Sequence, residues 1–497
     1  MRIDAQRGGA IVDAALDAIV LFHFEDEALS APVATVDSAL HGAISAMAGH
    51  KELKGSAGEV TSILTLGALP AARVVVAGLG KRAKFSSEAV RRASGRVARL
   101  LRKAGLLSAG IEVPAYEAVT AEEATRAVSE GILLATYSFD VYFSSDRPQL
   151  RLERVTLFGP ADADLEPSIR LAEAMMAGTT YTRDLVNEPP NVLNPAELAR
   201  RAEALAKEKA LQFEVFEPDE LRLRGMNALL AVGLGSATPP RLIALHYRGD
   251  PEGKHPTLGL VGKGITFDTG GISLKPGADM HVMKTDMAGA AAMLGAMHAI
   301  AALEPALNVT VLVATAENMP DGASYRPGDI LRASNGKTIE IQNTDAEGRF
   351  VLSDALSYAV ELGLSPIVDA ATLTGACSVA LGPYYSGLFS NDEKTRDGLL
   401  AASKLTGERL WPMPMDPDFR AGLDSSCADM RNIAGREGGA ITAAMFLAEF
   451  AGEGPWAHLD IAPTAFADNE SDYFGKGLAT GHPVRTLVQF ALNIASS

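Results

Sequence analysis

With 47% hydrophobic and 21% charged side chains, a chain of 497 residues has the apolar material for at least one large core, and its composition excludes a disordered or collagen-like protein. The net charge of −16 argues against broad nucleic-acid affinity, and two cysteines, Cys377 and Cys427, are too few for a disulfide scaffold or a cysteine-built zinc cluster. Residues 1–165 carry 18 basic and 20 acidic side chains and the remainder 27 and 41, so the later part is the place to look for a bound cation.

The apolar stretch Ala10–Phe24 is interrupted by Asp13 and Asp17 and shows no cleavage-site pattern, so no secretory leader is expected. Arg73–Gly78 reads as a buried strand and Ser87–Ala104 as a helix. Between them, Gly78-Leu79-Gly80-Lys81-Arg82-Ala83 approximates a dinucleotide-binding turn. The acidic residue that such a site needs about 20 positions on is missing, because Leu100-Leu101-Arg102-Lys103 stands there. Lys81–Lys103 holds nine basic residues against one acid, Glu88, and Arg92, Arg96, Arg99 and Lys103 share one helical face. That face reads as solvated or as a subunit contact, with DNA binding as the alternative.

Arg154–Phe158 is a further strand, and the acidic segment Ala161–Pro167 marks a boundary. A helix follows over Ser168–Leu185 and stops at Asn187-Glu188-Pro189-Pro190, since two prolines cannot continue it. The expected organisation is an N-terminal α/β domain over 1–165, a linker helix over 166–190 and a catalytic domain over 191–497. In the last, a helix is expected over Pro195–Lys209 and strands over Gln212–Phe216, Arg241–Tyr247, Leu258–Gly262, Asn308–Ala316 and Pro366–Ala371. This alternation predicts an α/β sandwich with a mainly parallel sheet. The longest apolar run, Ala288–Leu303, is short of the roughly 18–20 residues that span a bilayer. A soluble cytoplasmic protein with no membrane partner is the expectation.

Three segments carry candidate chemistry. Gly262-Lys263-Gly264-Ile265-Thr266-Phe267-Asp268-Thr269-Gly270-Gly271 follows the strand from Leu258, where open α/β sheets place ligands. Asp268 there reads either as a ligand or as a turn residue bonding its own backbone. Asp286 precedes the Ala-rich helical stretch and reads either as an N-cap or as a carboxylate aimed at the same site. In Asn343-Thr344-Asp345-Ala346-Glu347-Gly348-Arg349, an extended backbone would project Asp345, Glu347 and Arg349 together. Adjacent carboxylates repel unless a proton or cation sits between them, and an arginine beside them offers a forked anion site. The donor set is oxygen-rich, HExxH is absent, and four carboxylates suffice for two divalent ions. Lys263 and Lys275 flank Asp268; either would be a metal ligand if deprotonated, or an electrophile if charged. A serine or cysteine hydrolase is disfavoured, since GxSxG is absent and Cys377 sits among small apolar residues.

These residues resemble the cytosolic leucyl aminopeptidases. Val261–Gly271 with Lys275 and Asp286 is similar to their first metal-binding segment, and Asn343–Arg349 to their signature heptapeptide. Glu317-Asn318-Met319-Pro320, Ala370–Ala376 and Trp456–Ala462 extend the similarity over residues 180–497. The resemblance implies a two-domain subunit assembled as a homohexamer, with two divalent cations (Mn²⁺ or Zn²⁺) in each subunit. It implies that Asp268 and Glu347 bridge the metals, that Lys263 and Asp286 complete one site, and that Asp345 completes the other. Lys275 would be the charged electrophile and Arg349 the holder of a bicarbonate base. Met283 and Thr372 would line the pocket for the first side chain, and Leu373 and Gly375 would contact the substrate backbone. The implied activity is removal of N-terminal residues, leucine and other apolar ones preferred, from peptides with a free amino terminus, in intracellular peptide turnover.

Overall fold

The computed structural model describes residues 1–6, 8–116, 118–145 and 151–497. The chain forms two α/β units. The first takes Met1–Met176 and the short excursion Asn469–Lys476; the second takes Ala177–Asp468 and Gly477–Ser497. The passage from one to the other falls inside the helix Glu166–Asn187.

In the first unit a six-stranded sheet runs in the order Arg2–Gln6, Arg154–Phe158, Ser108–Glu112, Ala18–Phe24, Arg73–Gly80, Val60–Leu64. All pairings are parallel except the last, where Val60–Leu64 runs antiparallel to Arg73–Gly80. All seven residues of Ala18–Phe24 are buried, the pattern of a strand covered on both faces. One side of the sheet packs Ile19, Leu21, Val74 and Val76 against Val33, Val36 and Ile44 of two short helices. The helix Ser87–Lys103 starts at Ser86, whose hydroxyl accepts from the Ala89 amide.

The second unit is built on an eight-stranded mixed sheet. Its centre is Leu258–Asp268, flanked in parallel by Asn308–Asn318 and Ile367–Ala371. Trp456–Asp460 continues the parallel run beside Ile367–Ala371. The strands predicted at Leu258–Gly262 and Asn308–Ala316 both run on, to Asp268 and Asn318. Gly262 is therefore no turn. A Cβ there would lie 2.6 Å from Ala290 Cα, and one at Gly289 would lie 2.0 Å from the Ala370 carbonyl. The glycines let the helix Ala288–Leu303 lie directly on the sheet. With the 3-10 turn Met280–Thr285 that precedes it, this helical run reaches 24 residues, long and apolar enough to cross a membrane by length and composition alone. Most of its apolar window is buried within the unit, as expected of a core helix. On the opposite face Phe350, Val351, Ala355 and Phe446 pack against Val261, Ile265 and Leu312. Each such side chain, fully buried, contributes about 1.5–3 kcal/mol.

Candidate metal centre and substrate pocket

The two longest central strands deliver their last residues to one spot. Lys263 and Asp268 come from Leu258–Asp268, and Asn318 ends the neighbouring strand. Asp268 Oδ1 accepts from the Gly270 amide at 2.8 Å and from Asn318 Nδ2 at 2.8 Å. One carboxylate oxygen of Asp268 thus fixes its own turn, while the other pairs with Lys275 in the cluster.

Asp286 does not cap the helix that follows. That helix starts at Ala288, with Met287 at its N-cap and no side-chain cap. Asp286 Oδ1 instead accepts from Lys263 Nζ at 2.7 Å and from the Thr372 hydroxyl at 2.8 Å. The heptapeptide is not extended either. Glu347 has helical φ/ψ and the helix Gly348–Glu361 begins directly after it, so Asp345 and Glu347 converge through a turn entering a helix. The smallness of Gly348 has a definite cause, since a Cβ there would lie 2.7 Å from Lys263 Nζ.

The resulting cluster is buried. Asp268, Asp286 and Glu347 each offer an oxygen within 4.8 Å of the others. Lys263 Nζ reaches Glu347 Oε1 at 2.8 Å, and Lys275 Nζ pairs with Asp268 Oδ2 at 2.8 Å and with Asp345. Burial, with the Glu347 charge beside it, pushes Asp268 up to about 6. Burial also raises Asp286 well above the carboxylate range and raises Asp345. Glu347 goes the other way: burial opposes its charge, but the Lys263 and Lys275 ammoniums outweigh it. Both lysines are held above their ordinary value despite burial, Lys263 chiefly by Asp286 and Lys275 chiefly by Asp268. The buried oxygens Asp286 Oδ2 and Glu347 Oε2 have no hydrogen-bond partner among the described residues. Buried carboxylates crowded in this way require compensating positive charge, and oxygen donors at this spacing suit divalent cations.

Arg349 lies behind the carboxylates. Its Nη1 donates to the Asn432 carbonyl at 2.5 Å, and its buried Nε has no partner among the described residues. Burial lowers it to about 10. A buried guanidinium with an unused donor is a receptor for a small anion.

A cavity of about 600 Å³ opens on the cluster. The opposite wall includes Met283, Thr372, Leu373, Gly375, Ala465 and Phe466. All eleven candidate site residues thus lie in this one region, ten of them lining the cavity and Arg349 within the helix behind. Sequence reasoning assigned no role to Asn318 or Asp460. Asn318 braces Asp268 and also donates to the Thr344 carbonyl at 3.0 Å. Buried Asp460 accepts from the Leu373 amide at 3.2 Å and from the Thr374 hydroxyl at 2.6 Å, fixing the loop that carries Thr372 and Leu373. Each lies inside a quoted segment, but nothing in a single sequence separates a bracing Asn or Asp from its neighbours. Cys377 is buried and its thiol is pushed up by burial and by Asp460, which leaves no reactive thiolate.

On the helix Ser87–Lys103, Arg92 pairs with Glu88 at 2.7 Å and Arg96 with Asp472 at 2.6 Å. Arg99 pairs with Glu470 and donates to the Phe474 carbonyl at 2.8 Å. Much of that basic face is therefore occupied from within the same unit.

A cluster of buried carboxylates able to hold cations at the ends of central strands, opening on a pocket of mixed polar and apolar lining, is the kind of centre that metallohydrolases use. Residues 180–488 match the catalytic domain of the cytosol aminopeptidase family and residues 20–146 match its N-terminal domain. The chain is 44% identical over 493 residues to a probable cytosol aminopeptidase of Geobacter sp. (strain M21), covering 99% of each. Among solved structures it is similar to a mutant of tomato leucine aminopeptidase, with TM-score 0.90 and 32% identity over 99% of this chain and 96% of that one. It is also similar to the bottromycin maturation enzyme BotP in complex with Mn, with TM-score 0.86 and 35% identity over 97% and 100%. The chain belongs to the cytosol aminopeptidase family and is a metal-dependent aminopeptidase.

Proposed function

We propose that the protein removes leucine and other apolar residues from the free amino termini of peptides, using two divalent cations per subunit, Mn²⁺ or Zn²⁺. The observation that carries this is the trio of buried carboxylates, Asp268, Asp286 and Glu347, which each offer an oxygen within 4.8 Å of the others, while Asp286 Oδ2 and Glu347 Oε2 find no hydrogen-bond partner among the described residues. Asp268, Glu347, Asp286, Lys263 and Asp345 would be the residues that hold the ions. When bound, the ions would supply Lewis acidity and lower the pKa of attacking water.

The chain's own groups do the rest. Lys275, on the cavity wall beside Asp268, donates to the scissile carbonyl oxygen as negative charge develops there. Arg349, buried behind the carboxylates, would hold a bicarbonate, which when bound would supply a general base. Met283 and Thr372 receive the first side chain, and the Leu373–Gly375 backbone aligns the peptide. The same reading makes the protein a cytoplasmic homohexamer acting in peptide turnover. The test is hydrolysis of a leucyl tripeptide beside its N-acetylated form. Cleavage of the free peptide alone is expected; equal cleavage of both would refute an exopeptidase.

A further inference from the structure

A second cavity, of about 310 Å³, lies in the first unit and is lined by none of the candidate site residues. It sits at the carboxyl end of the strand Arg73–Gly80, beside the opening turns of the helix Ser87–Lys103. Ligands of open parallel sheets bind at such strand ends. Lys81, Lys84, Arg92 and Arg96 line it against a single acid, Glu25, a local reversal of sign in a chain of net charge −16.

The arginines are held in place. Arg96 spends Nε and Nη2 on Asp472, at 2.6 and 2.5 Å, which leaves Nη1 directed at Gly58 on the cavity wall. A Cβ at Gly58 would lie 2.2 Å from that Nη1, so the glycine makes the room that the guanidinium itself occupies on the cavity wall. Arg92 is braced by Glu88. Lys81 and Lys84 are exposed and form no ion pair among the described residues. Anchoring of Asp472 explains the set of the arginines but not the two uncommitted lysines, nor the open space between them. Leu79, Ala57 and Ala93 supply an apolar wall beside the charges.

We propose that this cavity binds a small phosphate-bearing molecule, with the phosphates on Lys81, Lys84 and Arg96 Nη1 and any organic body against Leu79 and Ala93. A braced guanidinium and two mobile ammoniums are the donors that phosphate oxygens select. The full chain is titrated calorimetrically at low salt with ADP and, separately, with inorganic pyrophosphate. Two variants accompany it, Lys81→Ala/Lys84→Ala and Ala89→Glu; the latter puts a carboxylate on the cavity wall. Both are expected to weaken binding by about tenfold or more while leucine p-nitroanilide hydrolysis stays unchanged. Tighter binding of ADP than of pyrophosphate assigns a nucleotide, and equal binding assigns the bare phosphates. No heat from either probe at millimolar concentration would overturn the proposal. So would affinity that survives both variants, or lysine-dependent retention of duplex DNA without binding of either probe.

Discussion

Lys263 Nζ lies 2.7 Å from Asp286 Oδ1, with both side chains almost completely buried. The same ammonium reaches Glu347 at 2.8 Å and the Thr372 carbonyl at 2.9 Å. One lysine thus supplies positive charge to two acids from separate segments, and removing it exposes how much cation the cluster needs. In metal-free protein Lys263→Met is expected to destabilise by about 3–5 kcal/mol, the cost of leaving buried charge uncompensated. Added Mn²⁺ should raise the variant's melting temperature more than the wild type's. A metal-free variant as stable as wild type would show that the acids need no counter-charge.

Lys275→Ala tests the electrophile. Lys275 is more exposed than Lys263 and faces the cavity, so the fold should survive its loss. Removal of one donor to a developing oxyanion lowers kcat by about 10²–10³. Bound metal, measured by elemental analysis, should change little. Wild-type turnover in Lys275→Ala would refute the role.

Asp460→Asn tests the loop that aligns the substrate. The substitution replaces one acceptor oxygen with a donor opposite the Leu373 amide or the Thr374 hydroxyl. Hydrogen bonds to a charged group contribute about 1.5–3 kcal/mol, so kcat/KM should fall by about tenfold to a hundredfold. Metal content is expected to hold. Loss of metal in step with activity would place Asp460 in the metal centre instead.

Glu112, in the first unit, gives a pH signature independent of the catalytic site. Burial pushes its carboxyl from 4.5 up to about 7, against a Phe22 backbone N–H that favours the charged form, and Oε2 has no partner. A raised folded-state value means that its contribution is full below pH 4.5 and is lost as pH rises through about 7. Glu112→Gln keeps the neutral shape. Urea midpoints should show the variant more stable than wild type above about pH 7, with the gap closing as pH falls towards about 5. A gap that does not change with pH would contradict the assignment.

The residues that gather around the cavity were legible in the sequence because chemistry is written in residue type. Acids that would repel one another, with small residues between them, already imply a cation. What one sequence could not show is how backbone geometry brings them together. The heptapeptide read as extended, whereas Glu347 enters a helix, because alternation of charged and small residues fits a strand face and a helix N-terminus alike. Asp286 by itself read better as an N-cap, whereas its side chain turns to Lys263 on the central strand, a contact that no local pattern encodes. The strand from Leu258 read as ending at Gly262. That glycine answers to Ala290, about thirty residues on, a contact that local patterning does not encode. The excursion Asn469–Lys476, which brings Asp472 to Arg96, is a long-range pairing of the same kind.

Titration of Mn²⁺ into chelator-stripped protein, with leucine p-nitroanilide hydrolysis followed in the same samples, bears most directly on the carboxylate cluster. Two ions bound per chain are expected, with activity absent before they bind and restored as they do, and with both effects weakened in Glu347→Gln. Full hydrolysis by metal-free protein, or ions that bind equally well to Glu347→Gln, would contradict it.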